Sequence, residues 1–262
     1  MPTRRSVMPP RHRWLVTLAL PVLAALPLPA AAQAICPRPL RAVVLALDSP
    51  SQGITRFLMD STDALLAAAG VKRQVLPMPF VRIPLELDAG RADVVTVSFT
   101  AIEAYRQQLV SIQFLRMPVL LYEPVGLDDG SRRTGPIGIV RGAPVPPALT
   151  PYVDRLQPVS SYEMLFQMLA ARRLAGAIGA RPTTDLVLRE HPGVAALVKP
   201  GPQVDERRMA IHFSRRLPPA CLDHLVETVL SRGAGITQQV FMQQYKGLNH
   251  EDYRVPVQVL TP

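Results

Sequence analysis

The sequence predicts an α/β protein of two lobes, each a parallel-rich sheet flanked by helices, with a ligand cleft between them. Three observations carry this reading. Apolar runs of strand length alternate with stretches of helical periodicity between residues 41 and 97. The same alternation returns between residues 137 and 189. Two further apolar runs, Arg116 to Tyr122 and Met209 to Phe213, stand where the chain has to pass from one half to the other and back. Strands that alternate with helices build a parallel sheet covered on its faces.

Residues 1–34 read as an export signal and are set aside from the fold. Arg4, Arg5, Arg11 and Arg13 form a basic start, Trp14 to Leu28 is an apolar run, and Ala32-Gln33-Ala34 offers a small-residue cleavage site. The run is too short and too proline-rich to cross a hydrocarbon layer of roughly 30 Å. A cleaved signal implies a periplasmic protein. In that oxidising compartment Cys36 and Cys221, the two cysteines of the chain, are expected to pair. The bridge closes a very long loop, which by chain entropy is worth at most about 4–5 kcal/mol. The formal charge of the 262 residues is +9, and the four signal arginines account for part of it, leaving about +5. The remainder has no basic stretch interleaved with aromatics, so nucleic acid is not an expected partner.

The elements follow in order. Arg41 to Leu47 is a continuous branched apolar run, the pattern of a strand buried on both faces. Asp48 to Gly53 is a loop. Ile54, Phe57, Leu58, Leu65, Leu66 and Ala69 recur at helical spacing, and Gly70 stops that helix. Gln74 to Met78 is a second strand, Pro84 to Ala89 a short helix opened by its proline, and Asp93 to Val97 a third strand. Residues 128–136 form a polar loop and Ile137 to Val140 a strand. Ser160-x-x-Glu163 predicts a capping box on a helix that buries Leu165, Phe166 and Leu169. Leu174 to Ile178 is a strand and Arg181 to Arg189 a helix, and two closing helices are expected over Pro219 to Leu230 and Gly235 to Tyr245. The expected division is residues 35–122 with 214–262 as the first lobe and 123–213 as the second.

Loops at the carboxyl ends of parallel strands line the binding crevice in open α/β sheets. That rule selects Asp48, the stretch from Met78 to Arg82 with Phe80 and Arg82, Ser98 to Thr100, and Arg141 with Gly142. A glycine at that turn lets backbone approach a bound group closely. Ser161 opens the helix of the second lobe, where its first use is as a cap. The remaining inventory is poor in chemistry. His191, His212, His224 and His250 have no metal-ligand spacing, and no G-x-S-x-G, P-loop or G-x-G-x-x-G motif is present. No enzyme activity and no cofactor are expected.

Five stretches together resemble the periplasmic solute-binding proteins that serve polar amino-acid ABC transporters. They are Leu45-Ala46-Leu47-Asp48-Ser49-Pro50; Pro79-Phe80-Val81-Arg82 with Leu87 to Asp93; Arg106 with Ile112 to Pro118; Ile137 to Gly142; and Val159 to Glu163 with Leu169 to Leu174. The resemblance implies the type 2 periplasmic-binding fold and a small, carboxylate-bearing solute as ligand. The expected partner is an inner-membrane permease or a sensor receptor, and the expected state is a monomer. It also implies a cleft arginine that grips the carboxylate, as arginine's planar fork favours. Arg106 fits the spacing to the downstream strand and Thr100 the spacing from the upstream one, so either is in register with the family's short cleft motif. Where the family carries an ammonium-binding aspartate this chain has Ala180. A dehydratase of the cyclohexadienyl type, on the same fold, is the alternative, with Glu103 as its acid.

Overall fold

The computed structural model describes residues 35–47, 53–126 and 134–260. The expected export signal, Asp48 with most of its loop, and most of the polar loop before Ile137 lie outside the described residues.

The first lobe begins with β1 (Leu40–Ala46), buried along nearly its whole length. Both neighbours of β1 run parallel to it: β2 (Arg73–Pro79) on one side and β3 (Val94–Ser98) on the other. Between β1 and β2 lies α1 (Gly53–Ala68), whose buried residues include Phe57, Leu58, Leu65 and Leu66. Its first turn is tied to the end of β1, since Leu47 N donates to Thr55 Oγ1 at 3.1 Å. Gly70, at φ +68°, ends the helix, with its N–H donating to Ala67 O at 2.9 Å. The short α2 (Ile83–Asp88) carries Pro84 in its first turn, where a missing N–H leaves no bond unmade. Asp93 fixes the chain ahead of β1 to β3: it accepts from Arg38 Nη1 and Nη2 at 2.7 and 2.6 Å and from Arg41 N at 2.9 Å.

Beyond the 3-10 segment Phe99–Gln108 the chain enters β4 (Leu109–Pro124), and it returns from the second lobe in β8 (Val198–Ser214). These are the two expected crossings, and they are longer than their apolar runs. They pair antiparallel over most of their length. The first part of β4 also pairs with β9 (Gln258–Leu260), and its later part with β7 (Gly176–Ala180). β4 therefore pairs with strands of both lobes, and β8 pairs with β3 of the first lobe as well as with β4. The second lobe adds β5 (Ile137–Val140) and β6 (Leu156–Val159), parallel to each other, with β5 parallel to β7. The two lobe sheets are joined through β8 and β4 into one sheet ordered β2-β1-β3-β8-β4-β7-β5-β6.

The second lobe is covered on one face by α3 (Tyr162–Ala170), α4 (Thr183–Glu190) and α5 (Pro192–Ala195). Leu165, Phe166 and Leu169 of α3 pack with Tyr122, Val140 and Val159 in an apolar cluster of their own. Ile137, Ile139, Leu149, Ile178 and Ala180 belong instead to the large cluster of the first lobe, continuous with it through the crossing strands. The cap of α3 is one residue later than the sequence implies. Ser161 Oγ accepts from Met164 N at 3.2 Å, so Met164 occupies the position a capping-box glutamate needs, and no box forms.

One expected break is absent. The two closing helices are a single helix, α6 (Pro219–Gln244), running through Gly233 and Gly235. A helical glycine costs about 1 kcal/mol against alanine. Here Gly233 gives close approach: a Cβ on it would stand 3.3 Å from Val229 Cγ1 and 3.4 Å from Val257 Cγ1, with Leu65 of α1 behind. The buried positions Leu225, Val229, Gly233, Thr237 and Val240 keep one face through the glycine, and that packing outweighs its propensity. Cys221 in the first turn of α6 is disulfide-bonded to Cys36.

Candidate functional site

A cavity of about 610 Å³ lies where the lobes meet. The first lobe supplies Ala46 and Leu47 from the end of β1 and Gly53 from the start of α1. The second supplies Ser160, Ser161, Tyr162 and Glu163 from the beginning of α3, and Thr183, Leu186, Val187, Arg189 and Glu190 from α4. Gln244 and Lys246 close it from the end of α6. It therefore sits at the carboxyl ends of β1, β6 and β7, where the crevice rule places a ligand. Its wall mixes aliphatic surface with two acids, two bases and hydroxyls, and the positive end of the α3 dipole adjoins it. A second cavity of about 420 Å³ is lined by second-lobe and crossing-strand residues, among them Leu121, Ile137, Tyr152 and Arg155, and includes no residue of β1 or α1.

Each wall is held by identifiable contacts. β7 ends at Ala180, and Arg181 turns the chain into α4 through a cis bond to Pro182. Arg181 Nε donates to Asp185 Oδ2 at 2.5 Å, and Tyr253 Oη donates to the same oxygen at 2.6 Å. Burial works against the Arg181 cation, but the hydrogen bond and charge of Asp185 more than offset it, so the pKa is raised. The Tyr253 hydroxyl is pushed above its ordinary range, first by burial and then by Asp185. Tyr122 Oη lies 2.8 Å from Thr184 Oγ1, and burial lifts its pKa to about 12. At the first-lobe wall, Gln244 Nε2 donates to Asp60 of α1 at 2.8 Å.

The sequence-selected residues distribute unevenly around this cavity. Ser161 lines it; Asp48 lies outside the described residues, between Leu47 and Gly53, which both line it. Ser98 is buried at the end of β3, whereas Thr100 is exposed on the following 3-10 segment. Phe80 is half-buried and Arg82 exposed in the 3-10 turn after β2. Arg106 is exposed, 3.7 Å from Glu103, and both line a shallow surface pocket instead of the cavity. Arg141 and Gly142 are exposed in the turn after β5. That turn is held to β8 by Arg207, whose Nη2 donates to Pro144 O at 2.6 Å. The α4 residues, Gln244 and Lys246 were not selected. A signal existed: Arg181-Pro182-Thr183 follows a buried strand just as Phe99-Thr100 follows β3. Among the described residues no group of three or more His, Cys, Asp or Glu side chains is placed to hold a metal ion, and no helix is long and apolar enough to cross a membrane.

No protein-family model matches the chain, and no curated protein sequence does. Solved structures do. A mutant of ArgBP from T. maritima superimposes with a TM-score of 0.59 at 12% identity, covering 82% of this chain and 98% of that one. The chain has the type 2 periplasmic-binding fold. Two further structures of this fold are similar to it. One is an ABC uptake transporter substrate-binding protein from Streptococcus pneumoniae with bound histidine, with a TM-score of 0.59, 14% identity and coverage of 80% and 93%. The other is a histidine kinase sensor domain similar to periplasmic binding proteins, with a TM-score of 0.58, 14% identity and coverage of 86% and 98%. The type 2 periplasmic-binding fold accounts for the two crossings shared between lobes and for a cavity at their junction.

Proposed function

We propose that the protein is an extracytoplasmic receptor that binds a small, carboxylate-bearing solute in the interlobe cavity, for an ABC-type transporter. One observation supports the reading most directly: a cavity of about 610 Å³ lined by both lobes at strand ends, in a fold shared with proteins that bind amino acids. Arg189 and Lys246 are the cations on its wall, and they favour an anionic group on the solute. Ser98, Thr100, Arg141 and Gly142, with Phe80, Arg82, Arg106 and Asp48, are proposed to meet the solute at the cleft mouth as the lobes close. A ligand shifts that closure only by its differential affinity for the closed state. The disulfide and the basic, apolar start of the chain support export to an oxidising compartment. Docking on a sensor receptor is the second reading, favoured by the likeness to a histidine kinase sensor domain.

Thermal-shift screening of amino acids, other carboxylates and small peptides tests the proposal. A hit is expected to raise the melting temperature and to compact the protein in small-angle scattering. Lys246→Ala and Arg189→Ala should each weaken that hit. A broad panel with no stabilising compound and no compaction overturns the reading.

A further inference from the structure

α4 forms one wall of the cavity; it packs on α3, α5 and β7 of its own lobe and is bonded as well to a piece of chain outside that lobe. That piece follows α6 and ends at Tyr253. It is anchored away from α4 in two ways: the Tyr253 carbonyl accepts from Arg116 N of β4 at 2.9 Å, and the Tyr253 ring lies 5.3 Å from that of Phe241 in α6. Its hydroxyl points the other way, to Asp185 of α4, at 2.6 Å. The Arg181 guanidinium, bonded to the same carboxylate, sits 5.6 Å over the Tyr253 ring. A second tyrosine repeats the arrangement, with Tyr245 Oη 3.2 Å from Thr183 Oγ1. Both phenols belong to fully buried residues. Farther along α4, Arg189 lies against the backbone of Gly247, so close that a Cβ there would stand 2.5 Å from its Nη1.

We propose that Tyr253 is a positioning residue: through Asp185 it holds α4, and with it the second-lobe wall of the cavity, at a set distance from the first lobe before any solute arrives. Swinging α4 away would strand the buried Tyr253 phenol without its acceptor and leave the half-buried Asp185 carboxylate short of a donor, a cost that water recovers only if the seam opens. The cavity is then preorganised, and less binding free energy is lost to ordering it. This consequence rests on reading the cavity as the solute site; the latch itself does not.

Paired spin labels on the full mature chain, without any ligand, test it. Leu85→Cys on α2 and Gln167→Cys on α3 are exposed and sit on opposite lobes, and Cys36 and Cys221 are already joined. The label-to-label distribution is expected to be single and narrow. Tyr253→Phe, which removes one hydroxyl, should broaden it and move it to longer distance, and Asp185→Ala, which removes the acceptor, should do the same. A far-UV spectrum and a cooperative melt establish that each variant is folded, and Thr183→Val replaces either one that is not. A broad distribution in the parent, or variant distributions that superimpose on it, overturns the latch. Distances that respond to Tyr253→Phe while the solute panel yields nothing keep the latch and remove the solute reading.

Discussion

Lowering the pH should destabilise this protein, and His212 of β8 is one residue through which it acts. Its side chain is fully buried between β3 and β4. Nε2 lies 3.2 Å from the Val97 carbonyl, which can only accept, so Nε2 carries the proton; Nδ1, 2.8 Å from Ser111 Oγ, then accepts from that hydroxyl. Burial lowers the pKa to about 4, against a smaller opposing effect of the Val97 carbonyl. The unfolded chain, with an ordinary value near 6.5, takes up a proton where the folded one does not. The group's contribution is therefore complete above about pH 6.5, falls as the pH drops from there towards 4, and is level below that. The separation of the two values corresponds to about 3 kcal/mol. Urea unfolding followed by circular dichroism at intervals between pH 7 and pH 4 measures the loss. His212→Gln, which keeps a hydrogen-bonding side chain but has no such proton to bind, should lose about 3 kcal/mol less over the same range. Other titrating groups act on both proteins alike and cancel in the difference. Parallel curves for parent and variant would refute the argument.

Two more outcomes follow from packing and pairing. Gly138→Ala places a methyl 2.4 Å from Leu165 Cδ1 and 2.6 Å from Leu174 Cδ1, both on fully buried residues, so urea unfolding should show a loss of about 1–3 kcal/mol. Asp93→Ala removes the acceptor for Arg38 and for the Arg41 N–H, and the melt should register a loss of about 2 kcal/mol; Asp93→Asn, which keeps an acceptor for that N–H, should lose less.

Much of the architecture was legible because strands buried on both faces leave unbroken apolar runs, as in Arg41 to Leu47 and Ile137 to Val140. Strands at the margins leave no such trace. β6 reads Leu156-Gln157-Pro158-Val159, with Gln157 and Pro158 exposed, and it pairs with β5 alone; proline is tolerated there because an edge strand has N–H groups to spare. β9 has three residues, two of them exposed. The single closing helix was illegible for the opposite reason: Gly233 breaks a helix by propensity and continues this one by contact with α1 and Val257. The site divides along the same line. Ser161, selected as the residue that opens a helix, lines the cavity, whereas the described residues selected at strand ends do not. The contributions of α4 and of Gln244 and Lys246 depend on how one helix face is turned and where another helix stops, which the tertiary seam around Tyr253 decides.

The bond between Cys36 and Cys221 has a topological meaning. The two residues stand 185 positions apart, and every strand and helix of the second lobe lies between them. The second lobe is thus an excursion inside a covalently closed ring whose two ends meet in the first. A single proteolytic cut anywhere from residue 37 to residue 220 linearises the ring without releasing a fragment. Nicked protein should run as one species on a denaturing gel until a reductant is added, and then as two.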